Sequence, residues 1–66
     1  MVQKVIEIVG ISKESFAKAA ELAVQEASKT VHGIKWARIQ DFEMQLDEKN
    51  VLQYRATARI YFDISR

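Results

Sequence analysis

The chain has no cysteine, no proline, two glycines and one histidine in 66 residues. Without cysteine there is no disulfide framework and no thiolate metal site. The single imidazole, His32, excludes a histidine-rich metal site within one chain. Neither sign of charge dominates. Ten Lys and Arg stand against nine Asp and Glu, for a net charge of +1, so the electrostatic footprint of a nucleic-acid binder is missing. No apolar run approaches the ~20 residues that cross a bilayer. The residues Met1-Val2-Gln3-Lys4-Val5 lack the apolar core and small-residue cleavage site of a secretory signal, and the cytoplasm is the expected compartment. Low-complexity segments and internal repeats are also absent.

What remains is 48% hydrophobic, enough for a folded unit. The chain is too short to divide, so residues 1–66 are expected to form one domain. A domain of this size buries only about 60% of the surface its unfolded chain exposes. With disulfides unavailable, partner subunits are the usual remaining support, and self-association is expected.

Val2 to Val9 is rich in Val and Ile, which suit a pleated strand; Gly10 is expected to break it. Ser12 then reads as the N-cap of a helix over residues 13–30, with Glu14 near the positive end of its dipole. Phe16, Ala20, Ala23, Ala27 and Val31 recur at helical spacing, with Ala19, Leu22 and Val24 beside them. A stripe this rich in alanine permits close approach to a partner layer. Gly33 reads as the stop.

Residues 34–46 and 51–65 read as two strands joined through the polar Asp47-Glu48-Lys49-Asn50, a hairpin. In the last strand Leu52, Tyr54, Ala56, Ala58, Ile60, Phe62 and Ile64 fall on one face. Val51, Gln53, Arg55, Thr57, Arg59, Tyr61 and Asp63 fall on the other. In the preceding strand Ala37 and Ile39 share one parity, but Phe42, Met44 and Leu46 share the other. A bulge between Arg38 and Asp41 reconciles them.

The fold class is therefore α+β, in β-α-β-β order. A three-stranded antiparallel sheet needs the last strand in the middle, spatial order 1-3-2, wrapped on one helix. Trp36, the only tryptophan, falls on the face opposite Ala37 and Ile39. It is either a buried interface residue or a flat aromatic platform for a ligand. That second face, with Trp36, Gln40, Arg55, Thr57, Arg59 and Tyr61, is too polar for a dry core and too aromatic for an idle surface.

In order and spacing the chain resembles the dodecin family over nearly its whole length. The resemblance rests on Lys4 to Ser12, on Ser15-Phe16 and Ala19-Ala20, and on Trp36-Ala37 with Asp41 five residues on. It continues through Tyr54-Arg55 to Phe62-Asp63-Ile64. It implies a hollow homododecamer that stores, buffers and photoprotects flavin (FMN, riboflavin or FAD) without turnover. Trp36 is then the indole that stacks on the isoalloxazine ring. Offset aromatic stacking adds roughly 0.5–1.5 kcal/mol beyond buried area. By the same resemblance Asp41 lies near the ribityl chain and Arg55 at the pyrimidine edge, with Gln53 on the face of Arg55 as a further candidate.

Arg55 departs from the family pattern, in which flavin binders carry glutamine. An arginine has donors only, whereas the ring edge presents a donor beside an acceptor. The alternative is a flavin-free, structural or cation-binding assembly of the same architecture. Glu7, Glu43 and Asp47 are candidates for a metal site shared across subunits, though nothing local has ligand spacing. His32 reads as a helix-terminal residue. Ser12 has no base beside it. With no catalytic constellation, the chain is not expected to be an enzyme.

Overall fold

Strand β1 (Gln3–Ser12), helix α1 (Phe16–Ser28), strand β2 (Ile34–Leu46) and strand β3 (Val51–Asp63) make up the computed structural model, which describes residues 1–64. The sheet is antiparallel in the order β1-β3-β2, as the connectivity predicts. Tyr54, Ala56, Ala58, Ile60 and Phe62 of the central strand pair with Ser12, Gly10, Ile8, Ile6 and Lys4 of β1. The helix-side core gathers Ala23, Ala27, Ala58 and Ile60, flanked by Ile6, Ile8, Val24, Ile34 and Ile39. Among the described residues Ile60 is the one large side chain buried completely, a contribution of about 1.5–3 kcal/mol.

Four local expectations are corrected. Gly10 does not break β1, which runs on to Ser12. Glycine is there because α1 crosses the strand at that point: a Cβ would be driven into the Ala19 carbonyl oxygen and lie 2.9 Å from the Ala23 nitrogen. The helix is capped by Ser15, not Ser12. Ser15 Oγ accepts the Lys18 N–H at 3.0 Å, while Ser12 Oγ accepts the Glu14 N–H at 2.9 Å and shapes the turn before it. Glu14 accordingly stands outside the helix. The buried stripe is Ala19, Ala23 and Ala27: Ala23 and Ala27 are as expected, while Ala19 takes the place of Ala20, which is half-buried on the flank. Finally α1 ends at Ser28, where the N–H groups of Lys29, Thr30 and Val31 fold back on the carbonyls of Glu26 and Ala27. Gly33, at φ 74°, serves the following loop. The expected end of the last strand at Ser65 lies outside the described residues; β3 ends at Asp63.

The hairpin turn is held by Asp47, whose Oδ1 accepts the N–H of Lys49 at 2.9 Å and of Asn50 at 2.8 Å. Both bonds favour the carboxylate, so its pKa lies below the usual 3.8. A depressed folded pKa gives stabilisation that is complete above the unfolded value and is lost as pH falls through the folded one. On acidification below about pH 4, the Lys49 and Asn50 amide resonances are therefore expected to move together. Their midpoint should lie under 3.8, and the transition should vanish in Asp47→Asn. Amide shifts that ignore acid, or that persist in the variant, would refute this account of the turn.

Candidate functional site

Helix α1 lies over β1 and β3 and barely reaches β2, so one face of the sheet carries the helix and the other carries nothing. Which side chains occupy the open face is decided in β2 by two inserted residues. Ile34 pairs with Phe62 and Trp36 with Tyr61, leaving Lys35 extra; Ile39 pairs with Ala58 and Asp41 with Thr57, leaving Gln40 extra. Each insertion switches the faces of the residues after it. The first sends Ile34 into the core and Trp36 outward. The second, the bulge expected between Arg38 and Asp41, puts Asp41 on the face of Trp36 and turns Phe42 toward the helix. There Phe42 meets Phe16 edge-on at 5.2 Å, and Phe16 meets Tyr54 at 5.0 Å. Gln40, expected on the open face, is instead the unpaired bulge residue. A third shift pairs Leu46 with Val51 and leaves Leu46 exposed.

The open face is built in rows across β1, β3 and β2. Val5, Tyr61 and Trp36 make one row; Glu7, Arg59 and Arg38 the next. Val9, Thr57 and Asp41 come after them, then Ile11, Arg55 and Glu43; Gln53 and Gln45 close the series. Trp36 is 68% exposed, so it is no core residue of the protomer. Trp36, Asp41, Arg55 and Gln53 thus share one face: strand parity places Trp36, Arg55 and Gln53 there, and the bulge at Gln40 brings Asp41 to them. They do not converge on one point. Six residues separate Tyr61 from Arg55 along β3, about 20 Å at the rise of a strand. A planar ligand on the Trp36 of one chain does not touch the Arg55 of that same chain.

The residues that do adjoin Trp36 are Tyr61, Arg38 and Arg59, and of these the resemblance flagged none. Arg38 lies directly opposite Arg59. The Arg59 Nε is shielded from solvent with no hydrogen-bond partner. Among the described residues the ion pairs are Lys18–Glu21 within α1 and Lys29–Glu26 at its C-terminal cap, so no charge of the open face is in an ion pair. No group of three or more His, Asp or Glu there is placed to hold a metal; Glu7, Glu43 and Asp47 are not brought together. A concavity of about 570 Å³ lies on the other side of the sheet, between α1 and β2, lined by Ala17, Ala20, Glu21, Val24, Gln25, Ala37 and Ile39. It is largely apolar and lies on the sheet face opposite Trp36. No described helix is long and apolar enough to cross a membrane.

Comparison with known proteins gives a consistent result. The Dodecin family model matches residues 2–65. Calcium dodecin of Mycobacterium tuberculosis is 38% identical over 61 residues, spanning 92% of this chain and 86% of the relative. Its crystal structure, described as that of a calcium-chelating antigen with a novel calcium-binding site, superposes with a TM-score of 0.84 at 35% identity, covering 98% and 93% of the two chains. The dodecin of Streptomyces davaonensis superposes with a TM-score of 0.91 at 25% identity, covering 98% and 96%.

Proposed function

The chain belongs to the dodecin family, and from that premise we propose that it is a non-catalytic flavin-binding protein that stores and shields flavin on Trp36. The observation that carries this is the 68% exposure of Trp36 on a sheet face that no helix covers. A large indole left in water is costly, and a flat, electron-poor ring is a partner that an indole binds well. The 20 Å spread of Trp36 and Arg55 along the strand supports a site completed by a second copy. The whole chain acts as one dodecin-like unit in a cytoplasmic homo-oligomer, and the dodecamer that the resemblance implies is its proposed form. Asp41 takes the ribityl hydroxyls, and Arg55 and Gln53 meet the ring edge from a neighbouring subunit.

Riboflavin or FMN added to the purified protein is expected to lose fluorescence at micromolar concentration. Trp36→Ala should weaken binding at least tenfold, the equivalent of about 1.4 kcal/mol or more. Unquenched flavin, or quenching that survives the substitution, would overturn the reading.

A second reading is supported by the 38% identity to calcium dodecin and by the donor-only character of Arg55. It is a flavin-free assembly that binds a cation between subunits. Isothermal titration with Ca²⁺ separates the two: heat from Ca²⁺ with none from flavin favours the second.

A further inference from the structure

We propose that the free arm of the β2–β3 hairpin inserts into the groove between α1 and β2 of a second copy. The contact runs head to tail, so every chain gives an arm and offers a groove. It rests on the homo-oligomer reading and needs no ligand.

The arm is free because the sheet outruns its helix. The protomer is 52 Å long, whereas the 13 residues of α1 span only about 20 Å. Phe16, the first residue of α1, meets Phe42 and Tyr54. Beyond it come the Met44–Tyr54 and Leu46–Val51 pairs, past the end of the helix. At the last of these Leu52 is the extra residue, which keeps Val51 on the face of Leu46. Phe42, Met44, Leu46 and Val51 thus lie together on the helix side of the sheet, exposed by 53%, 48%, 63% and 40%. An apolar strip this continuous marks a contact surface.

The groove matches it. Ala17, Ala20 and Val24 form one wall and Ala37 and Ile39 the floor of a concavity of about 570 Å³. Ala37 is exposed although it faces the helix side, because α1 barely reaches β2. From Ala17 to Gln25 the groove runs about 12 Å along the helix. From Phe42 to Leu46 the arm runs about 13 Å. The charges at their ends also correspond: the turn carries Glu48 and Lys49, and the lip of the groove carries Glu21, 4.0 Å from Lys18. One strand, β2, holds both the arm and the floor of the groove, so no chain can fold its arm back into its own groove. The occupant is a second copy. Because the giving and receiving surfaces differ, the contact is heterologous and its repetition closes a ring.

The test is light scattering on the parent, on Leu46→Lys, on Ala37→Lys and on an equimolar mixture of the two variants. Both positions are exposed, and lysine suits an edge strand. Each variant alone should have a lower mass than the parent, its association weakened about tenfold to over a hundredfold, the worth of one buried apolar anchor. The mixture should regain mass over either variant, because the arm of Ala37→Lys and the groove of Leu46→Lys are both intact. Ala17→Lys, exposed on the helix wall, should behave as Ala37→Lys does and guards against a folding defect in β2. If separated protomers unfold, circular dichroism carries the same result: helix lost in each variant and regained on mixing sustains the contact. Parent mass in the variants, or no recovery on mixing, overturns it; with the parent still oligomeric, the homo-oligomer reading stands and association belongs to the open face. A parent of one-protomer mass overturns both.

Discussion

Gly10→Ala is expected to lower Tm by about 12 °C or more, or to leave no folded protein. The added Cβ would meet the backbone of α1, not a yielding side chain: the Ala19 carbonyl oxygen first, then the Ala23 nitrogen at 2.9 Å and the Ala19 carbonyl carbon at 3.0 Å. Overpacking costs about 1–3 kcal/mol when side chains can shift. Here the helix itself must lift off the sheet, and with it the contacts of Ala19, Ala23 and Ala27, so the upper end applies. In a domain of this size each kcal/mol moves Tm by about 4–8 °C. Gly33→Ala is the matched control. Its φ of 74° penalises a side chain, but a Cβ there meets nothing, and the cost is confined to about 1–2 kcal/mol of backbone strain. Thermal unfolding by circular dichroism, at equal protein concentration because self-association shifts Tm, ranks the two. A Gly10→Ala protein no less stable than Gly33→Ala would show that α1 does not press on the strand at Gly10.

Arg55→Gln is expected to tighten flavin binding by about fivefold to over a hundredfold. The pyrimidine edge of a flavin sets an N–H donor beside a carbonyl acceptor. Glutamine answers both, whereas arginine answers the acceptor alone. A buried donor left without a partner costs about 1–3 kcal/mol, which is that range of affinity. Arg55→Lys keeps the donor-only character and should gain nothing, which separates hydrogen-bond matching from a mere loss of bulk. Arg55 is exposed in the protomer and pairs across the strands with Glu43. A gain under threefold for Arg55→Gln would refute the donor argument, because it would mean that the Glu43 carboxylate already accepts the flavin N–H.

Much of this was legible in the chain because the relevant patterns are periodic. The alternation of β3 assigned both sheet faces, and the parity clash between Ile39 and Phe42 revealed the bulge at Gln40 that carries Asp41 to the face of Trp36. Gly10 was misread because local rules treat glycine as punctuation, whereas its cause is a helix that arrives from later in the sequence. Ser12 and Ser15 are equally good caps by residue type, and only the turn geometry sorts them. The insertion at Lys35 left no parity signal, since a single apolar residue, Ile34, precedes it. Arg38 and Arg59 become neighbours through the irregularity beside the hairpin and the bulge at Gln40, which together set their register.

Those same insertions bear on how the chain meets others of its kind. β2 is an edge strand, and an unbroken edge offers its backbone donors and acceptors to any passing strand. Lys35 and Gln40 interrupt that row twice within the 13 residues of β2, so a strand from another copy that zips along it falls out of step at each. Open-ended growth of the sheet is thereby frustrated along this side, and contact between copies is diverted to surfaces that side chains define, where association can close on itself.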